Sequence, residues 1–170
     1  MTKTILDDAF GHHLWGNEQV LAACAELSAA QLMAPVPGTY GPIIATLRHL
    51  VQADSFYLWV NRGSEGEMIP AENELTVAEL REANERHAAG YRELLAGRLD
   101  AEAEVAEHGD GWDFVATMGL RVAQIVHHGS DHRSQICTAL TGLGVTPPEI
   151  DLWAYGRELG VTREVDKRAG

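Results

Sequence analysis

Cysteine is scarce: the chain carries only Cys24 and Cys137, far apart and outside any Cys-x-x-Cys pattern. Both fall on the apolar side of helical segments, so two buried free thiols and no disulfide are expected. Long hydrophobic runs are missing too. No uninterrupted apolar stretch approaches the roughly 20 residues of a bilayer-spanning helix, so no membrane partner is expected. Where a secretory signal would place its apolar segment, Met1 to Asp8 instead turns acidic, and a cytoplasmic protein is expected. Positive charge is in short supply, with 13 Lys and Arg against 25 Asp and Glu, a net charge of -12 and a pI near 5.0. Such a balance repels phosphate backbones, and no basic cluster offsets it, which excludes nucleic acid as a partner. Only Lys3 and Lys167 are lysines, a bias associated with GC-rich genomes rather than with any demand of the fold. Internal repeats and low-complexity segments are also lacking.

What is present is an ordinary globular composition, 45% hydrophobic and 22% charged over 170 residues, enough to form one domain over 1–170 that buries roughly two-thirds of its surface. Five segments read as helical, because apolar residues in the longest four recur at helical spacing. The first runs from about Thr4 to Leu27 and ends in a loop of turn formers from Ala34 to Gly41. A second opens at Pro42, a favoured first-turn residue, and runs to about Asn61. Thr76 and Glu79 have the spacing of a capping box, and a third helix follows to about Leu99. Between Asp100 and Ala116 the helical period is lost, and Gly109-Asp110-Gly111 is a turn signal that could join two short strands. Thr117 can cap a fourth helix ending near Leu143-Gly144, and a short fifth segment spans Glu149 to Leu159. The fold class is therefore all-α, four long helices in a bundle with a short C-terminal helical segment.

His128 and His132 lie four apart on the fourth segment, so both imidazoles project from one helix face, at the seam between its apolar and polar arcs. With 8 histidines in the chain, that spacing alone does not single out a ligand pair. The second segment is apolar nearly all round, through Ile43, Leu47, Leu50, Val51, Phe56, Leu58 and Val60, and His49 is embedded in it. A buried neutral imidazole needs partners for both nitrogens, and a metal shared with two further histidines is one solution. Three neutral imidazoles on one divalent ion leave coordination positions open, the pattern of catalytic sites. The residues alone leave open the plainer alternative, one core histidine and a surface pair making ordinary hydrogen bonds. His13 and Asn17 sit one turn apart in the apolar arc of the first segment and could line a pocket. Arg133 points into the apolar arc of the fourth segment, and Asp54 lies among Leu47, Leu50 and Leu58, nearly opposite His49 and so not placed as a ligand. A buried unpaired charge is too unfavourable to persist, so Arg133 and Asp54 must find charged or hydrogen-bonding partners, and each could be the other's. Gln124, on the polar arc, completes the set of residues expected to support a site.

Four motifs, in order along the chain, resemble one family. Trp15-Gly16-Asn17 resembles the Trp-x-Asn of its first helix. Thr46-Leu47-Arg48-His49-Leu50-Val51-Gln52-Ala53-Asp54 resembles its second-helix signature, a His followed five residues on by an acid. His127-His128-Gly129-Ser130-Asp131-His132-Arg133-Ser134-Gln135-Ile136 resembles its fourth-helix His-x-x-x-His pair followed by Arg and Gln, and the segment Pro148 to Tyr155 its C-terminus. The family is that of DinB-like proteins. The resemblance implies an up-down-down-up four-helix bundle, often dimeric, with His49, His128 and His132 as ligands of a divalent metal. Zinc or nickel suits three imidazoles best, with iron and manganese also compatible. It further implies a thiol-dependent S-transferase or isomerase acting on a small molecule, with a low-molecular-weight thiol such as mycothiol as co-substrate, because characterised relatives include such enzymes. His13, Asn17 and Arg133 would then orient substrate. The same three ligands could instead support metal-dependent hydrolysis. A non-enzymatic, stress-associated metal-binding dimer is the reading from another class, and it requires a closed coordination shell.

Overall fold

The computed structural model describes residues 3–165; Met1, Thr2 and Lys167 lie outside the described residues, as do both ends of the expected 1–170 domain. Helix α1 spans Ile5–Ala25 and is opened by Thr4, whose hydroxyl accepts the Asp7 N–H while the Asp7 carboxylate accepts the Thr4 N–H. That reciprocal box satisfies two otherwise orphaned donors. A second box, Ser28 with Gln31, starts the one-turn α2, Ala29–Leu32, within the segment read only as the approach to a loop. Helix α3 covers Ile43–Asn61 and begins directly after Pro42. Helix α4, Val77–Ala96, carries the expected Thr76–Glu79 box.

The stretch after α4 corrects the all-α expectation. Strands β1, Glu104–Gly109, and β2, Trp112–Thr117, pair antiparallel with Gly109 opposite Trp112 and Glu104 opposite Thr117. The physical reason is local: Val105, Trp112, Phe114, Val115 and Thr117 favour extended backbone, and Gly111 takes the φ of +78° that the tight turn after Asp110 requires. Helix α5 follows at once, Met118–Gly142, capped by Thr117, and α6, Leu152–Glu158, is capped by Asp151. The molecule is thus mostly helical, with a small hairpin.

Each of the four long helices packs on two of the others: α1 on α4 and α5, and α3 on α4 and α5. Contacts between α1 and α4 run in opposite residue order, Phe10 with Tyr91, Leu14 with Asn84 and Glu18 with Arg81. Helix α6 lies back on α1, where Trp15 donates to Glu158 and Gly11 leaves room for the Tyr155 hydroxyl, which a Cβ would meet at 2.2 Å.

The core is divided into two apolar clusters. One gathers Leu21, Leu47, Leu50, Leu80, Ile136 and Leu140; the other gathers Phe10, Leu58, Tyr91, Val122 and Ile125. Along all four long helices the residues between these clusters are polar: His13 and Asn17 on α1, Asp54 on α3, Asn84 and His87 on α4, and Arg133 on α5, all buried. Where α3 meets α5, the His49 ring faces those of His128 and His132. No helix among the described residues is long and apolar enough to cross a membrane. Cys24 is buried and Cys137 half-buried, both as free thiols, and burial raises the Cys24 thiol to about 12.

Candidate metal centre

Helix α3 supplies His49, and one face of α5 supplies His128 and His132, one turn apart. One ring nitrogen from each lies within 4.8 Å of the other two. His128 Nε2 stands 3.1 Å from His49 Nε2, and the ring centres of His128 and His132 are 4.4 Å apart. Two imidazole nitrogens bound to one ion at about 2.05 Å stand about 3.3 Å apart at the tetrahedral angle, so the observed spacing fits a shared cation.

The proton positions fit as well. Gln135 Oε1 accepts both the Tyr40 backbone N–H and His132 Nδ1–H, each at 3.1 Å, which leaves the lone pair of His132 on Nε2. The Tyr40 ring stacks on His49 at 4.3 Å between centres, and Tyr57 meets His128 edge-on at 5.4 Å. His128 Nδ1 is buried and has no hydrogen-bond partner among the described residues. Burial, and then the neighbouring His132, lowers His128 to about 4 and also pushes His49 below its ordinary value. Both rings are therefore neutral near pH 7, the form that binds metal.

A stability consequence follows from the depressed His128. Unfolded chain takes up the proton at an ordinary value near 6.5, whereas folded chain resists it until about 4, so the unfolded state binds more protons within that window. Metal-free protein is expected to lose stability as pH falls from about 6.5 to about 4, by on the order of 1 kcal/mol from this group once its partial exposure is discounted. Urea denaturation at pH 7 and pH 5 measures it, with His128→Gln reducing the difference. Gln135→Ala is expected to weaken metal affinity about 10- to 100-fold while leaving the helical circular dichroism unchanged, because the residue holds His132 without being part of the core. Competition against a chromophoric chelator reads the change.

The residues match this chain to one family of proteins: the DinB family model covers residues 1–164. The chain belongs to the DinB family. A comparison with curated proteins finds no match.

The other residues singled out from sequence fall into two groups. His13, Asn17, Asp54 and Arg133 meet in the interior of this DinB bundle. His13 Nε2 is 2.9 Å from Asp54 Oδ2, Asn17 Nδ2 donates to the same oxygen at 2.8 Å, and Arg133 Nη1 donates to Asn17 Oδ1 at 2.8 Å and to His13 Nδ1 at 3.1 Å. A guanidinium can only donate, so His13 Nδ1 accepts and its proton resides on Nε2, which donates to Asp54. Arg133 and Asp54 are thus linked through His13 and Asn17 rather than by direct contact, and one positive and one negative charge balance inside the bundle. Burial opposes the Asp54 carboxylate, but its interactions with His13, and then with His87 and His128, outweigh burial and hold the group below its ordinary value. Two glycines make the berth: a Cβ on Gly129 would meet His13 Nδ1 at 2.4 Å, and one on Gly16 would meet Arg133 Nε at 3.0 Å. Gln124 is elsewhere, exposed on α5 and donating to the Tyr57 hydroxyl at 3.4 Å.

His49 is half-buried rather than interior, because a cleft of about 770 Å³ opens beside it. Phe56 and Tyr57 of α3 form one wall, Met68 and Ile69 a second, and Trp112 and Phe114 of the hairpin a third. Sequence reasoning did not assign these residues or Tyr40 to a site, and it met Gln135 only as the Gln of the fourth-helix motif. Gln135 was within reach, since it lies three residues after His132 on a helix. Tyr40 carries no such signal.

Proposed function

We propose that His49, His128 and His132 together hold one divalent metal ion, and that the chain is a metal-dependent enzyme that transfers a small thiol to an electrophile. The observation that carries this reading is the convergence of three imidazoles, two of them neutral by burial, at the edge of an open apolar cleft. An ion held there would supply Lewis acidity, favouring the thiolate form of a bound thiol. The chain's own residues do the rest. Gln135 fixes the His132 tautomer, Tyr40 covers His49, and the aromatic walls of the cleft keep water from the electrophile. In the transfer, the sulfur bonds to the electrophilic carbon, the leaving group departs with its electron pair, and the thiol proton passes to solvent.

Helix order and contacts support an up-down-down-up bundle, since α1 and α4 run antiparallel and α3 runs alongside α4 from Val51 and Leu80 to Leu58 and Gly90. A mycothiol-like thiol and a homodimer are carried by family resemblance. The test is an assay of metal-loaded protein with a small thiol and chlorodinitrobenzene. Thiol-dependent consumption above the protein-free rate, lost in His128→Ala, is the expected result. Metal-loaded protein that consumes no electrophile but cleaves an activated ester would move the reading to hydrolysis, and one that does neither would leave a binding protein.

A further inference from the structure

The cleft beside His49 is walled by aromatic rings that nothing among the described residues covers. Trp112 and Phe114 are each 53% exposed and Met68 is 40% exposed, although these are side chains that folding normally hides. Its volume of about 770 Å³ is that of a small-molecule site. Gly109 keeps the floor of the hairpin flat, since a Cβ there would meet the Trp112 ring at 2.0 Å.

The charged groups at the wall are of one sign. Glu107 and Asp113 bring carboxylates, and no lysine or arginine among the described residues lines the space. Gln52 Nε2 donates to the Pro70 and Asn73 carbonyls, at 3.0 Å and 2.8 Å, which leaves this side chain with an acceptor only. The guanidinium paired with Glu107, that of Arg121, is buried and committed to the hairpin: Nε donates to Val105 O, Nη2 donates to Phe114 O, and Nη1 lies 3.5 Å from Glu107. That pair offsets the Glu107 charge, and His108 at 2.8 Å faces Asp113, so what the cleft lacks among the described residues is a free cation. With no ion on His49, a carboxylate guest would lose its hydration and find no cation to replace it.

We infer that this cleft binds a flat, apolar organic molecule that is uncharged or cationic, and that it discriminates against carboxylate-bearing molecules of the same shape. Calling that guest the electrophilic substrate rests on the metal reading above; its binding does not.

Three probes of one shape test it: 1-naphthylmethanol, 1-naphthylmethylamine and 1-naphthoate, titrated calorimetrically into the full chain as purified and after chelator treatment, with metal content measured on each sample. In the chelated protein the alcohol and the amine are expected to bind at least about tenfold more tightly than the carboxylate. Trp112→Ala and Phe114→Ala, at half-exposed positions outside the core, are each expected to weaken the alcohol by about tenfold. Arg121→Met, which releases the hairpin, is expected to weaken it too. Equal binding of all three probes, binding of none, or affinities indifferent to Trp112 and Phe114 would overturn the inference. Should the protein hold metal and still show no discrimination, this inference alone fails; should it hold none and keep the ranking, the metal reading alone fails.

Discussion

Replacing His132 by alanine is expected to weaken divalent-metal binding by at least about a hundredfold. Residues that merely orient a ligand change affinity by about 10- to 100-fold, and His132 is itself one of three donors, with its lone pair directed by the Gln135 hydrogen bond. Two imidazoles and water would remain. The loss should be selective, because neither apolar cluster includes His132. Chelator competition combined with thermal denaturation separates the two effects: weakened affinity with a melting temperature near that of the metal-free parent is the expected pair. Unchanged affinity would mean that His132 is not a ligand.

Asp54→Asn is expected to be the most destabilising conservative change in the chain, lowering stability by about 3–5 kcal/mol. The substitution keeps the shape and removes the buried carboxylate that balances Arg133, which is 1% exposed. Burial already lowers Arg133 to about 10 against the opposing pull of Asp54. For a chain of this size the melting temperature should fall on the order of 10 °C. The double variant Asp54→Asn, Arg133→Met should lose less than the sum of the singles, since it leaves no unbalanced charge. Strict additivity would show that the two charges are not coupled through His13 and Asn17. The sign of the acid response is also set: because the folded Asp54 carboxyl lies below its ordinary 3.8, its contribution is fully present above that value and is lost as pH falls through the folded one.

Much of this was legible before any coordinates. Thr76 with Glu79, Thr117, and the Pro42 start placed three of the long helices to within a few residues, because capping chemistry and the 3.6-residue period act locally. Convergence of His49 with His128 and His132 was open from the residues alone, since spacing within one helix says nothing about which face a distant helix presents. The family motifs narrowed that choice. Arg133 and Asp54 announced themselves as charges on apolar arcs, but their indirect link through His13 and Asn17 depends on Gly16 and Gly129 leaving room, a tertiary fact. The hairpin was visible only as a lost helical period and a Gly-Asp-Gly turn. Its role as a cleft wall could not be read, because it arises from Arg121 pinning β1 and β2 against α5.

The central claim is that three imidazoles from two helices share one ion. X-ray absorption at the metal edge of full-length protein, purified without an affinity tag, tests it most directly. We expect close to one divalent ion per chain with three imidazole nitrogens at about 2.0–2.1 Å, falling to two in His49→Ala. A spectrum with one imidazole or none, or a His49→Ala spectrum identical to that of the parent, would contradict it.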